Sequence, residues 1–167
     1  NGGNKIKPKI IVNNRPLSFL DEKKNMDIEN SINPNSQLVR DRKNLEVVQK
    51  AMFSSTNEIT GTSYKSRIDN PKYQFAGKTG TAQVKRISKR ERELDLELDQ
   101  IPYNDRDHAL YIAYGPYINP RYALSIIVEH GGSGSKAAAP MAKKLFKLII
   151  DREKLRDKQL NFEKMNI

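Results

Sequence analysis

Tyr73-Gln74-Phe75-Ala76-Gly77-Lys78-Thr79-Gly80-Thr81-Ala82-Gln83-Val84 reads as a β-strand that turns polar at Lys78-Thr79-Gly80-Thr81. Side chains alternate along a strand, so Lys78 and Gly80 are expected on one face and Thr79 and Thr81 on the other. A glycine inside a strand weakens it and marks a place where a ligand or another backbone comes close. A lysine on an edge strand can equally serve only to keep that edge from aggregating. The quartet offers one cation, two hydroxyls and a gap on consecutive positions.

Downstream, Ala109–Tyr114 and Arg121–Glu129 are apolar runs joined by Gly115-Pro116-Tyr117-Ile118-Asn119-Pro120. Turn residues between two strand-like runs predict an antiparallel hairpin. After the break at Gly131–Lys136, Met141, Leu145, Leu148 and Ile149, with Ala142 and Phe146 alongside, predict an amphipathic helix. Pro140 belongs in its first turn, where no backbone donor is lost. The polar tail, residues 155–167, is expected to fray. Upstream, Leu45, Val48 and Met52 fall at helical spacing, with Asp41 as cap and an end by Ser54-Ser55. Lys9–Val12 suggests one more short strand. The sum is α+β: an antiparallel sheet with a helix on one face.

Two stretches carry little core. Residues 13–40 are polar and Asn-rich from Asn13 to Ser36, with Pro16 and Pro34, and are expected to be irregular. Residues 85–106 hold Arg90–Asp99, which alternates leucine with acid like a strand but has the composition of a helix. With no His or Cys nearby, its carboxylates read as a solvated charge run rather than an acid–base pair or a metal site.

The 167 residues are 37% hydrophobic, with a mean hydropathy of −0.75, low for a complete globular domain. A piece of something larger is expected. The net charge is +10, which suits an anionic neighbour such as nucleic acid, phospholipid or an acidic polymer. The cations run from Lys5 to Lys164 rather than in one cluster, as a solvated basic surface would also place them. Cysteine is absent, so disulfides and thiolate metal sites are excluded. No apolar run reaches the length of a membrane span or a secretion signal.

The quartet does not stand alone. Gly61-Thr62-Ser63-Tyr64, Gly77–Val84, Asp107-His108-Ala109, Tyr111–Pro116, Asn119-Pro120, Val128–Gly134 and Ala139-Pro140 follow in order. Together with weaker matches at Asn1-Gly2-Gly3 and Lys7-Pro8, this set resembles the Lys-Thr-Gly region of penicillin-binding proteins. These are serine D,D-transpeptidases that share a fold with β-lactamases. It is most similar to the elongation-type, class B subgroup. The resemblance implies that residues 1–167 are the C-terminal portion of one transpeptidase domain, with residues 85–106 in a slot for insertions of variable length.

That resemblance implies a mechanism: acylation of a serine by a D-alanyl-D-alanine stem peptide, then transfer to a neighbouring stem's amine. Lys78, Thr79, Gly80 and Thr81 would be the catalytic set and Thr79, Thr81, Ala82 and Gln83 the substrate-binding set. Lys78 would help relay a proton through the second motif's serine. Thr79 and Thr81 would bind the terminal carboxylate, and Gly80 would let substrate lie along the strand. The Thr81 N–H would be half of an oxyanion hole, a contribution of about 3 kcal/mol to the barrier. No cofactor or metal is implied. Implied partners are peptidoglycan stem peptides, β-lactams and, in the parent protein, a membrane glycosyltransferase, with no nucleic acid. The implied location is the periplasmic face of the bacterial inner membrane, held by an anchor upstream of Asn1.

Three motifs are decoys. Ser133-Gly134-Ser135-Lys136 fits Ser-x-x-Lys, but its glycines oppose the helical turn that would bring amine to hydroxyl. Ser55-Thr56-Asn57 fits Ser-x-Asn, but it reads as a helix-ending loop too near Lys78. Gly131-Gly132-Ser133-Gly134 suggests a phosphate cradle but lacks the Gly-Lys-Ser/Thr of that motif. His108 is expected to cap or pair with Asp107, and His130 to end a strand. With no other nucleophile motif, the chain by itself is expected to be inactive. The alternative readings are a basic nucleic-acid- or anion-binding module, given Tyr64, Tyr73 and Phe75 near Lys65, Arg67 and Lys72, and a purely structural interaction domain.

Overall fold

A computed structural model of the chain describes residues 3, 38–86, 94 and 96–165. The strand expected at Lys9–Val12, most of residues 13–40 and most of the Leu/acid run at 90–99 lie outside them. The chain divides into two units, residues 1–48 and 49–167. In the first, Leu38 N–H donates to the Gly3 carbonyl (3.0 Å), and helix α1 (Arg42–Asn57) begins. Asp41 caps it as expected, its carboxylate accepting from Lys43 N–H at 2.8 Å.

The second unit holds the end of α1, a 3₁₀ turn at Tyr64–Ser66, three strands and a long helix. Strands β1 (Ala76–Ala82), β2 (His108–Gly115) and β3 (Tyr122–Val128) form an antiparallel sheet in the order β1-β2-β3. Lys78 pairs with Ile112 and Thr79 with Tyr111; on the other side, Ile112 pairs with Ser125 and Tyr111 with Ile126. Among the described residues the quartet thus lies on an edge strand, and the hairpin is the one its turn residues predict. At the turn, Gly115-Pro116 is a cis peptide and Arg121 N–H donates back to the Gly115 carbonyl (3.1 Å).

A π turn (Gly134–Ala138) leads into α2 (Ala139–Met165). The glycine-rich connection therefore closes as a helical turn, where the sequence suggested a break. The buried stripe of α2 also differs from expectation. Ala138, Ala139, Ala142, Phe146 and Ile150 are buried, whereas Met141, Leu145 and Leu148 are exposed. Alanines are favoured because the turn runs very close to the sheet: a β-carbon on Gly134 would lie 2.4 Å from the Leu110 carbonyl oxygen and 2.6 Å from that of Gly80. Phe146 then stacks on Phe75 (4.8 Å between centroids), which meets Tyr111 edge-on (6.5 Å). Each such ring contributes about 2–3 kcal/mol on burial.

The helix does not fray at residue 155 but continues to Met165. No Gly or Pro interrupts residues 141–167 and strong helix formers dominate them. Two polar clamps hold its middle. Asp151 accepts from the Tyr73 hydroxyl, to which Lys154 also donates (2.6 Å), its ammonium lying 3.9 Å from the ring centre. Arg121 pairs with the buried Glu153.

Candidate functional site

The two faces of β1 meet different surroundings. Lys78 stands on the face shared with Ile112 and Ser125, is exposed, and donates to the Thr79 carbonyl at 2.7 Å. It forms no ion pair with a carboxylate among the described residues. Its charge is therefore solvated and available. Thr79 is on the covered face, and its hydroxyl lies 3.4 Å from that of Thr62. Thr62 in turn shares a hydrogen bond with Ser55 (3.1 Å). Three hydroxyls thus form a row that runs from α1 through the Gly61–Tyr64 loop to β1.

The row rests on a buried floor. The Tyr111 hydroxyl, fully buried, shares hydrogen bonds with Thr56 (2.9 Å) and Ser63 (3.2 Å). Burial pushes its pKa up, and the bonds to Ser63 and Thr56 partly offset that. Ser63 also donates to the Ser55 carbonyl through its hydroxyl (2.9 Å) and its N–H (3.0 Å), tying the loop to the end of α1. Gly61 permits the approach, since a β-carbon there would lie 2.4 Å from the Ser55 carbonyl oxygen. Gly77 permits another, with the Tyr111 hydroxyl 2.3 Å from where its β-carbon would be.

Of the remaining quartet and its neighbours, Gly80 is half-buried, and a side chain there would meet Leu110 at 3.2 Å. Gly80 thus has an internal reason to be small, in addition to any substrate. Thr81 is exposed, Ala82 is half-buried, and Gln83 is exposed just past the strand. Thr79 and Thr62 come together; Lys78, on the opposite face, is not joined to the hydroxyl row. Thr62 and Ser55 were absent from the residues singled out as site. The only signal for Thr62 was the Gly61–Tyr64 stretch within the family resemblance.

The decoys resolve locally. Ser55-Thr56-Asn57 is the last turn of α1, not a loop after it: Thr56 bonds Tyr111, and the Asn57 amide donates to the Phe53 (3.0 Å) and Phe75 (2.9 Å) carbonyls. The Ser133 hydroxyl pairs with Ser135 (2.9 Å), not with Lys136. His108 accepts at Nδ1 from the His130 N–H (2.9 Å), while Asp107 accepts from Val84 N–H (3.2 Å), so the expected Asp107–His108 pair is replaced. His130 follows β3 in a left-handed conformation (φ 55°). The aromatic residues that suggested base stacking are occupied: Arg67 covers Tyr64 (4.0 Å), Lys154 covers Tyr73, and Phe75 is buried. No group of three or more His, Cys, Asp or Glu side chains is placed to hold a metal among the described residues.

Residues 1–147 match the penicillin binding protein transpeptidase domain family. The chain is 38% identical over 105 residues to peptidoglycan D,D-transpeptidase MrdA of Salmonella typhimurium (strain SL1344), covering 63% of this chain and 16% of that protein. It is 35% identical over 107 residues to MrdA of Haemophilus influenzae, covering 64% and 16%. The chain therefore spans about a sixth of the length of these curated relatives. Among solved structures it resembles the penicillin-binding protein PBP2 of Helicobacter pylori in complex with MreC (TM-score 0.52, 33% identity, 71% of this chain and 20% of that one). It also resembles Pseudomonas aeruginosa PBP2 in complex with WCK 5153 (TM-score 0.51, 31% identity, 70% and 22%).

Proposed function

The chain belongs to the penicillin-binding protein transpeptidase domain family, and on that footing we propose that it forms one wall of the acyl-transfer cleft of a peptidoglycan D,D-transpeptidase acting in cell elongation. The observation that carries this reading is the placement of Lys78-Thr79-Gly80-Thr81 on an edge strand, with a solvated ammonium on one face and a hydroxyl row on the other.

In this reading the free edge of β1 receives the D-alanyl-D-alanine stem peptide as an added strand. Thr79 and Thr81 offer hydroxyls to its terminal carboxylate, the former oriented by Thr62, with Ala82 and Gln83 continuing the contact surface. Lys78 supplies positive charge to the proton relay that protonates the leaving D-alanine, and the Thr81 N–H supports the oxyanion. A serine activated by a lysine attacks the stem carbonyl. The bond to D-alanine breaks, and the acyl group passes to an amine of a second stem. β-Lactams enter as mimics of the same dipeptide.

The attacking serine is not supplied by Ser133, whose hydroxyl is held by Ser135. On this reading the attacking serine belongs to another part of the complete protein, the chain alone is inactive, and the complete protein acts at the periplasmic face of the inner membrane beside a membrane glycosyltransferase. The test is acylation by a fluorescent penicillin. The 167-residue chain should take up no covalent label. In the full-length protein Lys78→Ala should slow acylation by about a hundredfold. Labelling of the chain alone, or an unchanged rate in the Lys78→Ala protein, would refute the assignment.

A further inference from the structure

Lys136, Lys143, Lys144 and Lys147 fall on one side of the π turn and of the first turns of α2. Across from them stands Lys65, on the 3₁₀ turn, and the two sets line an open groove of about 760 Å³. Thr62 reaches the same groove, so its rim touches the hydroxyl row of β1. All five lysines are exposed. No Asp or Glu lines the groove, and none of the five is in an ion pair among the described residues.

This arrangement opposes helix stability. Like charges three or four residues apart repel, as Lys143 and Lys144 do with Lys147. Cations near a helix N-terminus add to the positive end of its dipole. The acids of the same helix lie further along, with Asp151 engaged by Tyr73 and Glu153 by Arg121. Positive charge is thus concentrated, uncompensated, in a concavity, which raises the local concentration of anions.

We propose that this groove binds a compact polyanion carrying several phosphate groups, of the size of inorganic tripolyphosphate. The lining offers five lysines, point charges of the kind that bind phosphate, and the summed positive charge suits a ligand carrying several negative charges. The volume lies in the range of small-molecule sites. The charges line a concavity, where a flat bilayer cannot meet them together. Tyr64, the aromatic residue in the lining, is covered by Arg67 and closed to base stacking. The proposal does not depend on Lys78 or on the transpeptidase reading.

Isothermal titration calorimetry of the full chain with inorganic tripolyphosphate tests it. Lys143→Ala and Lys144→Ala should each weaken binding about tenfold, and Lys144→Arg should keep it within about threefold. Lys72→Ala and Lys158→Ala, outside the groove, should change it less than about twofold, and added salt should weaken it. Exposed positions allow these substitutions without loss of fold, which an unchanged melting temperature would verify. Absence of binding, equal losses in the control variants, equal affinity for citrate, or attachment to phosphatidylglycerol vesicles that tripolyphosphate does not displace would each overturn the proposal.

Discussion

Two tyrosines on β2, three positions apart, show how one hydroxyl can help or hurt. Tyr111 is fully satisfied at the floor of the site, bonded to Thr56 and Ser63. Tyr111→Phe should cost about 1 kcal/mol in urea unfolding, and no more, because Thr56 and Ser63 keep partners in the Met52 and Ser55 carbonyls. Tyr114 is the opposite case. Its hydroxyl is buried with no hydrogen-bond partner among the described residues, and burial, reinforced by Tyr117, pushes its pKa up to about 12. Tyr114→Phe should therefore raise stability by about 1 kcal/mol. The sign of the pH effect follows. Between pH 10 and about 12 the unfolded tyrosine loses its proton while the folded one keeps it, so stability is full below pH 10 and falls as pH rises. Thermal melts from pH 8 to 11.5 should show a shallower alkaline decline in Tyr114→Phe than in the parent chain.

Between elements, the close contact of the π turn with β1 and β2 is the joint on which the site depends. Gly134→Ala would drive a methyl into the Leu110 and Gly80 carbonyls, which as sheet backbone cannot give way, so a loss of about 3 kcal/mol is expected. On α2, Phe146→Ala should cost about 3–5 kcal/mol. Leu148→Ala, at a position 65% exposed, should change stability by less than about 0.5 kcal/mol. Equal losses at the two positions would mean that the buried face of α2 has been misassigned. Period and turn chemistry made β1, the hairpin and both helices legible, because those signals are local. The buried face of α2 was not, because Leu145 and Leu148 outrank Ala142 in hydrophobicity. Only the closeness of Gly134 to the sheet makes alanine the better fit. The quartet stood out in the sequence as the candidate site; Thr62, which the fold brings to Thr79, did not, being 17 residues away with no periodic relation to it.

At the scale of the molecule, the α2-covered face of the sheet contrasts with the face carrying Lys78. On the latter, Ile112 is 53% exposed and Ile127 63% exposed. Leu110 lies between them in register, paired with Ile127 and with Gly80. An apolar strip beside an exposed ammonium is what a surface meant for covering presents. The chain spans about a sixth of its curated relatives, so the strip has ample protein to meet in a full-length parent. In isolation it should behave as exposed apolar surface, held in solution by the net charge of +10. The isolated chain should enhance the fluorescence of an apolar dye such as ANS while keeping a cooperative thermal transition. Ile112→Thr with Ile127→Thr, which preserves branching suited to a strand, should at least halve the enhancement with little change in melting temperature. Placed in the full-length protein, the same pair should lower stability by about 2 kcal/mol, since the positions would then be buried. A full-length protein indifferent to both threonines would show that nothing covers this face, and that the Lys78 side of the strand opens to bulk solvent rather than to a cleft.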